Sequence, residues 1–152
     1  MIYIFKVKLY YDKRTWRTIA IKDTQSLGDL HDAIFKAFDR HDEHLYSFYM
    51  TNGVTRKDRY RNCPEYSHPM SIQGEGFAFR EPPKNAEIIS ISDLNLTIKG
   101  KFEYLFDFGD EWLHEIVLEK IEEPISKETY PKILKVNGES PNQYPDHDED
   151  DY

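Results

Sequence analysis

The sequence predicts an α+β domain in which helices cover one face of a largely antiparallel sheet. Segments that alternate between polar and apolar residues are separated by short turns, and one segment with helical periodicity lies between them. The predicted order is ββαβ, an irregular insertion, a short helix, and then a C-terminal β-hairpin and a last strand. The chain has 152 residues, so we expect one domain, at residues 1–138.

The first strands are predicted from alternation. Residues 2–11 alternate between two faces, three polar residues follow, and residues 15–21 alternate again, which predicts a β-hairpin. The aromatic-rich residues 44–50 predict a third strand.

The main helix has a start signal and a clear apolar stripe. Ser26 is expected to cap it, and Asp29, three residues later, completes a Ser-x-x-Asp capping box. Apolar residues then recur at helical spacing, and the helix is expected to end near Asp39. Arg40 falls on the polar side of this pattern, where we expect it to face solvent.

The second half begins with a long irregular insertion, predicted at residues 54–83 with short strands inside it. Residues 88–96 predict a short helix capped by Ser90 or Ser92. Gly109, in the turn of the second hairpin, is expected to supply a positive φ. Strands are expected at residues 101–108, 112–121 and 131–136.

Charge is distributed unevenly along the chain. The net charge is −8, which argues against a protein that coats nucleic acid through overall positive charge. Residues 1–62 contain 12 Lys and Arg against 8 Asp and Glu, whereas residues 139–152 contain six acidic residues and no Lys or Arg. We expect residues 139–152 to form an acidic, disordered tail.

The expected compartment is the cytoplasm. The chain has one cysteine, Cys63, so no intrachain disulfide is possible. The N-terminus has no apolar run typical of a signal peptide, and no stretch approaches the length of a membrane span.

Three histidines and an aspartate raise the possibility of a metal site. If the helix packs over the terminal hairpin, His31, His44 and His114 could converge, with Asp107 or Asp110 nearby, and Asp110 completes the set that we take as metal ligands. Three imidazoles and a carboxylate would suit zinc or another transition ion. The alternative is structural: buried histidines often hydrogen-bond the backbone, and turn aspartates accept backbone N–H groups.

A basic cluster in the insertion offers a different hypothesis. Arg56, Lys57, Arg59 and Arg61 surround Tyr60, a pattern that could contact phosphates and stack a base. A solvated loop is the simpler interpretation.

The segment YLFDFGDEWLHEIVLEKI resembles the signature of the plasmid pRiA4b ORF-3-like proteins. TWRTIAI, SLGDLHDAIFKAFDRHDEHLYSF and YPKILKVNGESPNQYPD resemble further segments of that family in the same order, so the resemblance spans nearly the whole chain. Carried onto this sequence, the hairpin positions are Trp16 and Arg17. The other motif positions are His31, His44, Asp107, Gly109, Asp110, Trp112, His114 and Glu119.

The resemblance implies an α+β fold but no reaction, because the family is functionally uncharacterised. Many members carry a Cys-containing element and another helical segment after the Gly-Glu pair, which this chain lacks after Glu139. We therefore expect a binding or interaction module with an unknown protein partner and without established catalysis. The alternatives are a metal-dependent, hydrolase-like enzyme and an accessory protein associated with mobile elements or nucleic acid; no membrane contact is expected.

Overall fold

A computed structural model describes residues 1–52, 63–72 and 82–144. Over these residues, eight strands form one sheet, and the helix α1 (Leu27–Ala37) packs against one face of it. The strands are β1 (Ile2–Leu9), β2 (Asp12–Lys22), β3 (Tyr46–Tyr49), β4 (Glu65–Ser67), β5 (Lys84–Asn85), β6 (Lys101–Phe106), β7 (Trp112–Glu122) and β8 (Lys132–Asn137). All neighbouring strands are antiparallel except β4 and β5, so the predicted α+β class is confirmed in its broad form.

The strand order brings distant parts of the sequence together. The sheet runs β5-β4-β3-β6-β7-β1-β2-β8, so β1 lies between β2 and β7. Its pairing with β2 runs from Ile2 opposite Lys22 to Lys8 opposite Trp16, and on the other side Leu9 lies opposite His114. The two hairpins therefore share one sheet, and α1 crosses the face on which His114 lies.

The main core lies between the sheet and α1. Phe5 and Val7 from β1 pack in the same buried cluster as Leu30 and Ile34 from α1. A 3-10 helix, Ile91–Leu94, adds its first residue to this cluster. Burying one such side chain stabilises the fold by about 1.5–3 kcal/mol, so this cluster is the main source of stability.

The N-terminus of α1 forms as predicted. The Oγ atom of Ser26 accepts the N–H of Asp29 at 3.1 Å, and the Asp29 carboxylate accepts the N–H of Ser26 at 2.9 Å. At the other end, Asp39 adopts a φ of 55° just after the helix. Arg40 is 8% exposed, so the expectation that it faces solvent is wrong. The change of chain direction after the helix places it inside.

The turn of the β6–β7 hairpin differs from the prediction. Positive φ angles occur at Asp107 (66°) and Glu111 (55°) and not at Gly109, so the role predicted for the glycine is wrong. The Oδ1 atom of Asp107 accepts the N–H groups of Gly109 at 3.0 Å and Asp110 at 3.2 Å. The aspartate side chain therefore stabilises a turn that a glycine was expected to allow.

Several boundaries also differ. The third strand starts at Tyr46, two residues later than predicted, and β6 ends two residues earlier, at Phe106. The short helix is a 3-10 turn with Ser90 at its N-cap position. The insertion contains β4, and the basic cluster of the insertion lies outside the described residues.

The first part of the predicted tail packs against the domain. Within residues 139–144, the side chains of Ser140 and Gln143 hydrogen-bond residues of the folded body, whereas residues 145–152 lie outside the described part. Among the described helices, none combines the length and the apolar character needed to cross a membrane.

Candidate functional site

A cleft of about 620 Å³ opens beside the N-terminal half of α1. We call it the acidic cleft, because carboxylates and imidazoles dominate its charged lining and none of its described lining residues is Lys or Arg. These charged and imidazole side chains are Asp29, Asp32, Glu43, Glu87, His31, His44 and His68. The cleft therefore favours ligands that carry positive charge.

His31 forms the buried inner wall of the acidic cleft. Its ring stacks on Tyr46 with centroids 3.9 Å apart and planes 10° from parallel. Its Nδ1 atom lies 2.6 Å from the hydroxyl oxygen of Tyr104, and its Nε2 atom lies 3.0 Å from Oε1 of Glu43. Burial lowers the pKa of His31 to about 4, so the imidazole is neutral at pH 7.

Two carboxylates face the Nε2 atom of His31. Oδ1 of Asp32 lies 4.0 Å from it, and one ligand atom from each of His31, Asp32 and Glu43 lies within 4.8 Å of the others. Desolvation at the cleft raises the pKa of both carboxyl groups although the two side chains are mostly exposed, and the Glu43 charge adds to the effect on Asp32. Among the described residues, these three side chains have the spacing needed to hold a metal ion together.

His44 lies at the edge of the acidic cleft, in a different environment. Its Nε2 atom lies 2.7 Å from the Tyr144 hydroxyl oxygen and 3.5 Å from Oδ2 of Asp107. Because the other carboxylate oxygen of Asp107 holds the hairpin turn, Asp107 links that turn to the cleft edge.

His114 is fully buried in the core and lies away from the cleft lining. Its Nε2 atom accepts a hydrogen bond from Nη2 of Arg40 at 2.9 Å, so its Nδ1–H donates to the carbonyl oxygen of Tyr104 at 3.1 Å. Burial, with a smaller contribution from Arg40, lowers the pKa of His114 well below its usual range. Both ring nitrogens of His114 are therefore occupied by structural hydrogen bonds.

Arg40 is held between three aromatic rings. Its guanidinium carbon lies 5.1 Å from the ring centres of Phe38 and Phe106 and 5.4 Å from that of Trp112. Burial lowers the pKa of Arg40 to about 10, which leaves the side chain charged at pH 7.

The predicted convergence of His31, His44, His114 and Asp110 is not found. His114 lies in the core, and Asp110 is exposed in the hairpin turn, where its backbone N–H bonds Asp107. The structure instead places Asp32 and Glu43 beside His31. Two features of the sequence could have indicated these carboxylates: the His-Asp-Glu-His run at residues 41–44 and the aspartate that directly follows His31.

The remaining motif residues have structural surroundings. Gly109 lies in the turn, and the Trp112 ring packs on Arg40. Glu119, which lies on β7, forms an ion pair with Lys99 at 3.8 Å. Arg17 is buried, and its Nε–H donates to the carbonyl oxygen of Ala37 at the end of α1.

Most of this chain matches a known protein family. A model of the plasmid pRiA4b ORF-3-like proteins matches residues 1–144. The chain belongs to the plasmid pRiA4b ORF-3-like family. The match ends at Tyr144, the residue whose hydroxyl bonds His44, so the family region includes the C-terminal segment that packs on the cleft edge.

Two proteins similar to this pRiA4b ORF-3-like chain are described as uncharacterized or of unknown function. The uncharacterized protein y4hQ of Sinorhizobium fredii (strain NBRC 101917 / NGR234) is 28% identical over 126 residues, which cover 82% of this chain and 56% of that protein. The chain thus spans little more than half of this curated relative. The crystal structure of MM3350 from Methanosarcina mazei Go1, a protein of unknown function, matches with a TM-score of 0.73 and 24% identity over 93% of this chain and 72% of that one, a likeness of fold alone.

Proposed function

We propose that this domain is a binding module whose acidic cleft holds a divalent transition-metal ion through His31, Asp32 and Glu43. The observation that carries the proposal is the approach of one imidazole nitrogen and two carboxylate oxygens to within 4.8 Å of one another. A mixed set of one imidazole and two carboxylates suits zinc, manganese or ferrous iron.

The hydrogen bond between His31 and Tyr104 supports this role. A metal ligand must offer a nitrogen lone pair, so His31 would bind through Nε2 while its Nδ1–H donates to the Tyr104 hydroxyl. In the metal-free protein the proton sits on Nε2 when the Glu43 carboxylate accepts it, and the Tyr104 O–H then donates to Nδ1. The tyrosine hydroxyl can serve either state because it both donates and accepts.

The electrostatics of the acidic cleft also favour a cation. The raised pKa of Asp32 reflects desolvation of its carboxylate and, to a smaller extent, the nearby charge of Glu43, and the raised pKa of Glu43 reflects desolvation. A divalent ion would stabilise both carboxylates, and no described lining residue supplies a competing Lys or Arg charge. Neutral His31 adds a ligand without repelling the ion.

The proposed function is metal binding, without a catalysed reaction. Three protein ligands leave coordination positions open, as in catalytic zinc sites, which is what keeps a metal-dependent hydrolase as the second candidate.

Isothermal titration of tag-free, chelator-treated protein with ZnCl₂ and MnCl₂ tests the proposal. We expect about one equivalent of bound ion, and affinity weakened about tenfold or more by Asp32→Asn or Glu43→Gln. Glu87→Gln is the matched control, because Glu87 lines the same cleft outside the cluster. Binding below about a tenth of an equivalent, or equal affinity in the Asp32→Asn/Glu43→Gln double variant, contradicts the proposal.

A further inference from the structure

The C-terminal segment, residues 138–144, crosses the loop that carries Glu43. Gln143 is 3% exposed, although it lies near the end of the described chain. Its Oε1 atom accepts the backbone N–H groups of His41 at 2.9 Å and Asp42 at 3.1 Å, and its Nε2–H donates to the Asp42 carbonyl oxygen at 2.7 Å. One buried amide therefore holds the backbone directly before Glu43.

Tyr144 holds the same loop on the other side of Glu43. Its hydroxyl lies 2.7 Å from Nε2 of His44, and its ring packs edge-on against His41 and His44, with centroids 5.9 and 6.3 Å apart. The residues before and after Glu43 are thus both attached to the C-terminal segment.

Arg17 anchors the start of this segment to the core. Its buried guanidinium donates from Nη2 to Oγ of Ser140 at 2.6 Å and from Nη1 to the Asn137 carbonyl oxygen at 3.0 Å. The same side chain donates from Nε to the carbonyl oxygen of Ala37 at 2.7 Å, where α1 ends. Arg17 therefore holds the start of the C-terminal segment and the end of α1, from which the 41–44 loop follows.

We propose that Gln143 is a positioning residue for the metal site, holding the 41–44 loop so that the Glu43 carboxylate meets His31 and Asp32. The inference rests on the proposed function. The Glu43 side chain is 60% exposed, so its surroundings alone restrict it little, and its position depends on the backbone that carries it. Fixing that backbone before the ion arrives removes an ordering cost that would otherwise weaken binding.

The coupling works in both directions. If the clamped loop binds the ion more tightly than the free loop, the bound ion must stabilise the clamp by the same free energy. Zinc should therefore slow hydrogen exchange of the His41 and Asp42 backbone N–H groups, which donate to Oε1 of Gln143. This protection is expected in addition to slower exchange at the metal ligands.

Gln143→Ala tests the inference, with exposed Asn142→Ala as the matched control. We expect the zinc Kd of Gln143→Ala to rise about tenfold, with stoichiometry and circular dichroism unchanged, and the control to bind like the wild type. In a Glu43→Gln background, Gln143→Ala should cause no further loss, because it acts through Glu43. Tyr144→Phe, which keeps the ring and removes only the hydroxyl, is the second variant if Gln143→Ala fails to fold.

The outcomes separate the two proposals. A wild-type protein that binds neither zinc nor manganese overturns the proposed function and this inference with it. Wild-type binding with an unchanged Kd in both Gln143→Ala and Tyr144→Phe overturns the inference alone. An equal loss in the presence and absence of Glu43 also overturns it, because the effect would then be a general loss of structure.

Discussion

Two buried histidines contact the same tyrosine and have different surroundings. His31 meets the hydroxyl of Tyr104, and its other nitrogen faces the carboxylates of the acidic cleft. His114 meets the backbone carbonyl of Tyr104, and its other nitrogen accepts from Arg40 inside the core. Both are neutral at pH 7 because burial lowers the pKa of each.

The difference lies in what faces the second nitrogen. A carboxylate can be displaced from Nε2 of His31 by a metal ion, which both groups then bind. A guanidinium has only donors, so the Nε2 lone pair of His114 is committed to Arg40. Of these two buried histidines, His31 is therefore available to a ligand, and His114 stabilises the core around a buried charge.

The largest expected effect is a loss of stability in His114→Leu. The substitution leaves Nη2 of Arg40 without its acceptor, next to an Nη1 atom that already has no hydrogen-bond partner among the described residues. We expect the free energy of unfolding to fall by about 3 kcal/mol, measured by urea titration. Zinc affinity of the folded protein should not change.

His41→Ala is the control for this prediction, because His41 is exposed, and it should cost less than about 0.5 kcal/mol. A change in zinc affinity in His114→Leu as large as that in Glu43→Gln would show that the two histidines are not separate in function.

Acid should destabilise the metal-free protein through both histidines. Their folded-state pKa values are lowered, so the unfolded chain takes up protons first, and stability is complete above about pH 6.5 and falls as the pH drops toward 4. For His31 alone, the pKa of about 4 corresponds to roughly 3 kcal/mol. Asp32 and Glu43 act in the opposite sense at lower pH, because their pKa values are raised.

Urea titrations at several pH values between 8 and 4 measure this dependence. Saturating zinc should steepen it for the wild type, since protons compete with the ion for His31 and both carboxylates, and should leave Asp32→Asn/Glu43→Gln unaffected. A stability that is constant from pH 7 to pH 5 would contradict neutral buried histidines.

The smallest effect is expected for Tyr104→Phe, which should affect His31 and leave His114 unchanged. The variant removes the hydroxyl that bonds His31 and keeps the carbonyl that bonds His114. We expect a loss of about 1–2 kcal/mol in the free energy of unfolding and a zinc affinity weakened about tenfold. NMR of the imidazole nitrogens should show a changed His31 and an unchanged His114; the reverse pattern would be inconsistent with the geometry.

Local signals predicted the parts of the fold that local physics determines. The first strand and the Ser26–Asp29 capping box depend on neighbours a few positions away, and both are present, although β1 ends at Leu9, two residues earlier than predicted. The placement of β1 between β2 and β7 depends on residues more than 100 positions apart, which no local pattern encodes. Turn chemistry lies between these cases: the turn was predicted, but Asp107 adopts the positive φ expected of Gly109.

The candidate site was predicted only through His31. Its partner Glu43 lies in a loop whose path depends on Arg40 turning inward after the helix and on Gln143, a residue predicted to belong to a tail. Periodicity placed Arg40 on the polar side of a helix, but the helix ends before it, at Ala37. His114 was included in the metal set because a sequence does not show which buried histidine faces a guanidinium.

The contacts of Gln143 also set the order in which the protein can be completed. They join residues separated by 101 and 102 positions, and the contacts of Arg17 with Asn137 and Ser140 span 120 and 123. A ribosome releases the chain from its N-terminus, so β1, β2 and α1 leave the tunnel long before their C-terminal partners. The loop bearing Glu43 thus emerges early and stays unclamped until Gln143 has emerged. The metal affinity that we propose would then be complete only after Gln143 has emerged.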